Sequence, residues 1–214
     1  MPTHSLVFDL DGTLVDSAPS ILAGFAAVVD EHGITPLVRL DSRLIGPPLL
    51  PTLARISGVT AADTLEAMAA TFKAWYDTEG YTHTVVYPGI DAALHALADR
   101  AALYIVTNKR IHPTRQILDH LGWGPLFAGV YAQDAFDPPL PSKAAVIGEV
   151  LSTHGIDPAG ALYIGDRAED GEAATANGLR FAWATWGYGV GLDLRPFIRP
   201  ITLESPEALG TLPG

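Results

Sequence analysis

The amino-acid sequence predicts an α/β fold: a parallel sheet with helices on both faces, interrupted after its first strand by an α-helical insertion. Three observations carry that expectation. Short apolar runs at residues 5–10, 102–108, 161–166 and 179–185 alternate with helical patterns, which implies βαβ crossovers and a parallel sheet. Residues 16–84 carry helical periodicity and proline stops but no convincing strand. The length of 214 residues suits one core holding a smaller insertion.

Taken in order, "SLVFDL" (5–10) reads as a buried strand. The segments "PSILAGFAAVVDEHG", "PPLLPTLARISG" and "AADTLEAMAATFKAWYDTEG" then read as insertion helices. The chain returns at "YPGI" (87–90), so the expected boundaries are core 1–15, helical insertion 16–84 and core 85–214, with hinges near Val15–Asp16 and Val85–Pro88. Beyond it, helices are expected over 89–100, 112–122, 142–155 and 168–178. "ALYIVTN" (102–108), "ALYIGD" (161–166) and "LRFAWAT" (179–185) are the later strands, and "FAGVYAQ" (127–133) is a weaker fifth. The tail from Asp193 reads as proline-interrupted coil with room for one short final strand.

With 48% hydrophobic and 17% charged residues, the chain can bury a sizeable core. It has no cysteine, which excludes disulfides, zinc-thiolate sites and thiol nucleophiles; any metal must use oxygen or imidazole. A formal net charge of −11 argues against nucleic acid and anionic membranes as partners. No apolar run approaches the ~20 residues that span a bilayer, and no cationic region precedes an apolar stretch at the start. The expectation is a cytoplasmic protein, a monomer or weak homodimer.

In open α/β sheets, sites gather at the carboxyl ends of the strands. Here three such ends carry Asp9, Thr107 and Asp166. In "FDLDGTLVDS" (8–17), Asp9 and Asp11 stand two positions apart where like charges repel. Two close carboxylates in different environments can divide labour, one as nucleophile and one as proton donor and acceptor; taken alone, the stretch also reads as a solvated turn. Thr107 in "VTNK" can hold an anionic oxygen or merely cap a helix. Lys143 falls in a first helical turn, where a cation opposes the helix dipole and calls for an anionic neighbour. "GDRAED" adds Asp166 and Asp170. Four carboxylates at neighbouring strand ends would repel by several kcal/mol at an effective dielectric of ~20 unless a cation intervened. An oxygen-only cluster of this kind suits Mg²⁺.

"DLDGTLVDS", "VTNK", "PSK" and "GDRAED", in this order and spacing, resemble the four motifs of the haloacid dehalogenase superfamily, in particular its phosphoglycolate-phosphatase-like branch. "YPG", "IGPPL" (45–49) and "TWGYG" (185–189) extend the resemblance over nearly the whole chain, while Arg110 and the Arg of "GDR" depart from the common pattern. The resemblance implies a Rossmann-like core with a helical cap and a Mg²⁺-dependent phosphatase acting on a small phosphorylated metabolite such as phosphoglycolate. By that resemblance Asp9 attacks phosphorus to form an aspartyl phosphate, and Asp11 protonates the leaving oxygen and later activates water. Thr107, Asn108 and Lys143 bind the phosphoryl group. Asp9, Asp11 through its carbonyl, and Asp166 hold the metal, with Asp170 in support.

Asp11 speaks against dehalogenation, because a halide leaves without a proton and an alkoxide does not. A phosphosugar mutase of the same architecture remains open, as does a non-catalytic phospho-aspartate signalling module, although a base beside a phosphoaspartate serves a lasting signal poorly. Seven histidines show no ligand spacing and read as surface or packing residues. Trp183 and Trp186 read as core and rim packing, and Lys73 has no warrant as a Schiff-base lysine. Arg39, Arg43 and Arg55 in the insertion are candidates for a substrate anion or for solvated surface.

Overall fold

The computed structural model describes residues 4–212. Among the described residues, eight strands form two sheets: β1 (Ser5–Phe8), β2 (Val15–Asp16), β3 (Val85–Val86), β4 (Ala102–Thr107), β5 (Gly129–Ala132), β6 (Ala161–Gly165), β7 (Arg180–Ala184) and β8 (Ile201–Leu203). The main sheet has the order β5-β4-β1-β6-β7-β8, and its neighbours pair in parallel throughout. β1 is therefore central, and the chain builds outward from it first on one side and then on the other. This reversal makes the carboxyl end of β1 a switch point, where open α/β sheets leave a crevice. The register pairs Phe8 with both Ile105 and Ile164, so Asp9 lies one residue short of the level that Thr107 and Asp166 share with Leu10.

Parallel strands are covered on both faces and read as continuous apolar runs. β6 is buried at every position and β1 at three of its four. On one face Val7, Tyr104, Val106, Tyr163 and Phe181 cluster with Val146, Ile147 and Val150 of α6 (Lys143–His154) and with Ala173 and Ala174 of α7 (Ala168–Ala176). Leu6, Phe8, Leu103 and Ile105 alternate with these residues along the strands and point the other way. On that side α4 (Ile90–Ala98) packs on β4 and α5 (Ile111–Leu121) on β5, with Ile90, Leu94 and Leu97 buried. The main strands begin and end within a few residues of the expected positions, and β8 is the short final strand.

Ser17–Val85 forms a compact unit distinct from the segments on either side of it. Its helices α1 (Ala18–Glu31), α2 (Leu49–Ser57) and α3 (Ala62–Thr78) enclose a separate apolar cluster of Phe25, Val28, Leu44, Leu53, Ile56, Met68 and Ala69. A hydrogen bond between the Ser20 and Tyr76 hydroxyls, 3.0 Å, joins α1 to α3 inside it. Where the chain enters and leaves this unit, β2 and β3 pair as a two-stranded sheet that the amino-acid pattern did not announce. Among the described residues, no helix is long and apolar enough to cross a membrane.

Ile105 is fully buried in the middle of β4. Ile105→Ala is expected to cost about 2–5 kcal/mol through lost apolar burial and the cavity left behind, read as a lower urea midpoint; an unchanged midpoint would show that β4 is not the packed centre of the sheet.

Candidate active site

β1 gives way to a tight loop at Leu10. The Leu10 carbonyl accepts from the amides of Thr13, Leu14 and Val15 at 3.3, 2.9 and 3.1 Å, and Gly12 turns through φ 83°. Leu10, Leu14 and Val15 are fully buried and pin the loop, which leaves Asp9 and Asp11 fixed at the sheet's edge. A side chain at Gly12 would be strained by that φ and would place a Cβ 2.5 Å from Asp166 Oδ2. Glycine is required here because the loop after β1 and the Asp166 carboxylate touch.

One further strand end and two helix starts complete the cluster. Asp166 follows β6 and is fully buried, and Asp170 lies in the first turn of α7, 1% exposed. Its Oδ2 accepts from the Arg167 amide at 3.0 Å, closing the helix start, while its Oδ1 takes Lys143 Nζ at 2.6 Å. Lys143 opens α6, whose Ser142 cap accepts from the Ala145 amide. The anionic neighbours that a cation at a helix start calls for are Asp170 and, at 3.2 Å, Asp9 Oδ2. Carboxylate oxygens of Asp9, Asp166 and Asp170 lie within 4.8 Å of one another, a group able to hold a metal ion.

Asp9 Oδ1 and Asp166 Oδ1 are buried and have no hydrogen-bond partner. Orphaned carboxylate oxygens are costly unless something cationic meets them. The donor set is all oxygen, and its two unpartnered atoms belong to neighbouring carboxylates, so the residues fit a hard divalent cation such as Mg²⁺. Asp11 differs from the other three. Its carboxylate accepts from Lys109 Nζ, with both oxygens at 3.2 Å, and its side chain stands outside the three-residue group.

Burial and like charge set the protonation of the cluster. Burial first, then the Asp170 and Asp11 carboxylates, raise Asp9 to about 6 against the pull of Lys143. Burial, followed by Asp170 and Asp9, raises Asp166 to about 7, although the Tyr188 amide and Arg167 oppose it. For Lys143, burial alone favours the neutral amine; the Asp170 and Asp9 carboxylates outweigh it and hold the ammonium well above its ordinary value.

Thr107 ends β4, is 2% exposed, and accepts from the Lys109 amide at 3.2 Å. Asn108 is exposed, with its side-chain oxygen accepting from Gln133 Nε2 at 3.2 Å. The profile of the family described as haloacid dehalogenase-like hydrolase matches residues 6–184, a span that takes in every one of these strand ends.

The chain belongs to that family. A phosphoglycolate phosphatase from Cereibacter sphaeroides is 35% identical over 195 residues, covering 86% of this chain and 85% of that one. A haloacid dehalogenase-like hydrolase from Streptococcus pneumoniae superposes with a TM-score of 0.82 at 29% identity, covering 96% of both chains. A protein named tyrosine-protein kinase PtkA from Mycobacterium bovis is 31% identical over 186 residues, which are 86% of this chain and 62% of that protein.

In this haloacid dehalogenase-like hydrolase the loop "TWGYG" does more than pack. The Tyr188 and Gly189 amides donate to Asp166 Oδ2 at 2.7 and 3.3 Å and so fix the carboxylate, leaving Oδ1 without a partner. Trp183 Nε1 donates to the Asp166 carbonyl at 3.1 Å, and Trp186 Nε1 donates to the Thr13 carbonyl at 2.9 Å. The two tryptophans thus hold the main chain of both acidic loops. A Cβ at Gly187 or Gly189 would collide with Asp166, so small residues let the strap lie flat on it. Lys109 and this strap are the site features that reading the motifs did not assign. In the helical unit, Arg43 is engaged locally by Asp41 at 2.6 Å, and Arg39, Arg43 and Arg55 are all exposed.

Asp9 and Asp166 are raised in the folded state above the ordinary carboxylate value of 3.8. Their stabilising contribution is therefore complete below that value and is lost as pH rises through about 6 to 7. Chelator-treated protein should melt at a lower temperature at pH 8 than at pH 5, and Mg²⁺ should raise the melting temperature more at pH 8; an equal Mg²⁺ shift at both pH values would count against these carboxylates as its ligands. Gly12→Ala is expected to lose at least ~1 kcal/mol of stability to its positive φ, and most of the Mg²⁺ shift to the collision with Asp166. Retention of the full shift would remove the contact from its role.

Proposed function

We propose that this chain is a Mg²⁺-dependent phosphatase that hydrolyses a small phosphate monoester, phosphoglycolate-like in size and charge, through an aspartyl phosphate. The observation that carries the reading is Asp9: a buried carboxylate with one oxygen on Lys143 and the other unpartnered, beside the unpartnered oxygen of Asp166. Similarity to phosphoglycolate phosphatases supports the substrate class.

Asp9 attacks phosphorus and forms a P–O bond as the bond to the leaving alcohol breaks; Asp11 gives that alkoxide its proton. Asp11 then takes a proton from water, the water oxygen bonds to phosphorus, and the bond to Asp9 breaks to release inorganic phosphate. Lys143 steadies the Asp9 carboxylate and the transferred group, and the end of β4 at Thr107 and Asn108 offers a hydroxyl and amides to its oxygens. Asp9 and Asp166 would hold Mg²⁺, joined by the Asp11 carbonyl. Asp170 backs them through Lys143, because both its oxygens are already engaged. When bound, the ion neutralises charge on the phosphoryl oxygens, the main requirement of phosphoryl transfer.

Similarity to a protein named a tyrosine kinase favours a second reading, transfer from Asp9 to an acceptor other than water. The two part on the fate of the phosphoryl group. Phosphate release from a monoester panel should require Mg²⁺ and should fall by about 10³-fold or more in Asp9→Asn. Undiminished release in that variant would end the nucleophile assignment, and a phosphorylated hydroxyl formed without free phosphate would favour the second reading.

A further inference from the structure

The chain has only three lysines, Lys73, Lys109 and Lys143, in a background of net charge −11. Two of them stand at the ends of core strands or helices facing the acidic cluster. Lys143 is committed to Asp9 and Asp170. Lys109 is placed differently. Its side chain is 7% exposed, its amide is tied to Thr107 Oγ1 at 3.2 Å, and its ammonium lies 3.2 Å from each oxygen of Asp11. Burying most of a lysine in a site costs desolvation, and Asp11, whose side chain stands outside the three-carboxylate group, supplies compensation.

Asp11 is the proposed proton donor to the leaving alcohol, so the leaving oxygen must come within hydrogen-bond reach of its carboxylate. Lys109 Nζ then lies no more than about 6 Å from that oxygen, on the leaving-group side of the site. A carboxylate two bonds beyond the leaving oxygen, as in phosphoglycolate, can bridge that gap. An uncharged alkyl group gains nothing there.

We infer that Lys109 is a specificity residue that recognises an anionic group on the leaving alcohol, so that the enzyme selects phosphate esters whose alcohol carries a carboxylate close to the ester oxygen. The inference rests on the phosphatase reading above and narrows its substrate class. Reach and charge make the selection: a flexible stem carries a point charge from the Asp11 carboxylate to a second anion nearby, while the Lys109 amide bond to Thr107 keeps the stem's origin fixed.

The test compares 2-phosphoglycolate with ethyl phosphate, the same two-carbon ester without the carboxylate. Binding of each is measured by calorimetry in Mg²⁺ on the full chain carrying Asp9→Asn, which keeps the ester intact, with and without Lys109→Gln. A charge-assisted contact predicts that Lys109→Gln weakens phosphoglycolate relative to ethyl phosphate by about 10- to 100-fold, and that Lys109→Arg restores most of the difference. The ratio of kcat/KM values for the two esters in the otherwise native chain should move the same way. A ratio within about twofold of the parent's, whatever the absolute loss, overturns the inference and leaves Lys109 as a residue that only positions Asp11. Phosphate release by the unsubstituted chain tests the underlying reading separately: release from phosphoglycolate with an unmoved ratio sinks the Lys109 role alone, and release from no monoester sinks both.

Discussion

The repulsion among carboxylates at the ends of β1 and β6 governs the rest of this molecule. Asp9, Asp166 and Asp170 are buried within a few ångströms of one another, and beyond burial itself Asp170 raises both Asp9 and Asp166 toward the neutral acid. Lys143 answers part of that charge and Lys109 answers Asp11. Four carboxylates then face two ammonium groups, which leaves two negative charges for one divalent cation to cancel. A dianionic phosphoryl group can enter such a neutralised site, whereas the bare cluster would repel it.

The fold supplies what the repulsion requires. Parallel strands in common register bring residues more than 150 positions apart to one level, and the switch in strand order opens the space above β1. Rigidity comes from the packed strands below, and the titratable side chains stand at the strand ends and helix starts above them. Asp170 shows how economically this is arranged: one carboxylate closes the start of α7 with one oxygen and holds Lys143 with the other.

Much of this was legible in the amino-acid pattern, for reasons of period and position. Apolar runs ending in Asp9, Thr107 and Asp166 mark strand ends, and parallel topology then sends those ends to one edge. Lys143 at a helix start demanded an anion, and its partners are Asp170 and Asp9. The strap after β7 was not legible in the same way. Trp186 reaches the Thr13 carbonyl across 173 positions, and a bond to main chain leaves no complementary residue type to search for. Lys109 was quoted within "VTNK" yet had no assigned partner, because which way a lysine stem turns is decided by packing. The paired strands β2 and β3 are two residues each, too short to show a period.

The two indole rings of the strap bring one more property with them. Trp183 and Trp186 are half of the protein's four tryptophans, and each is bonded through its ring nitrogen to the backbone of an acidic loop. Their emission therefore samples the backbone of both acidic loops. Ultraviolet light thus offers a view of those loops in the native molecule, free of any attached dye.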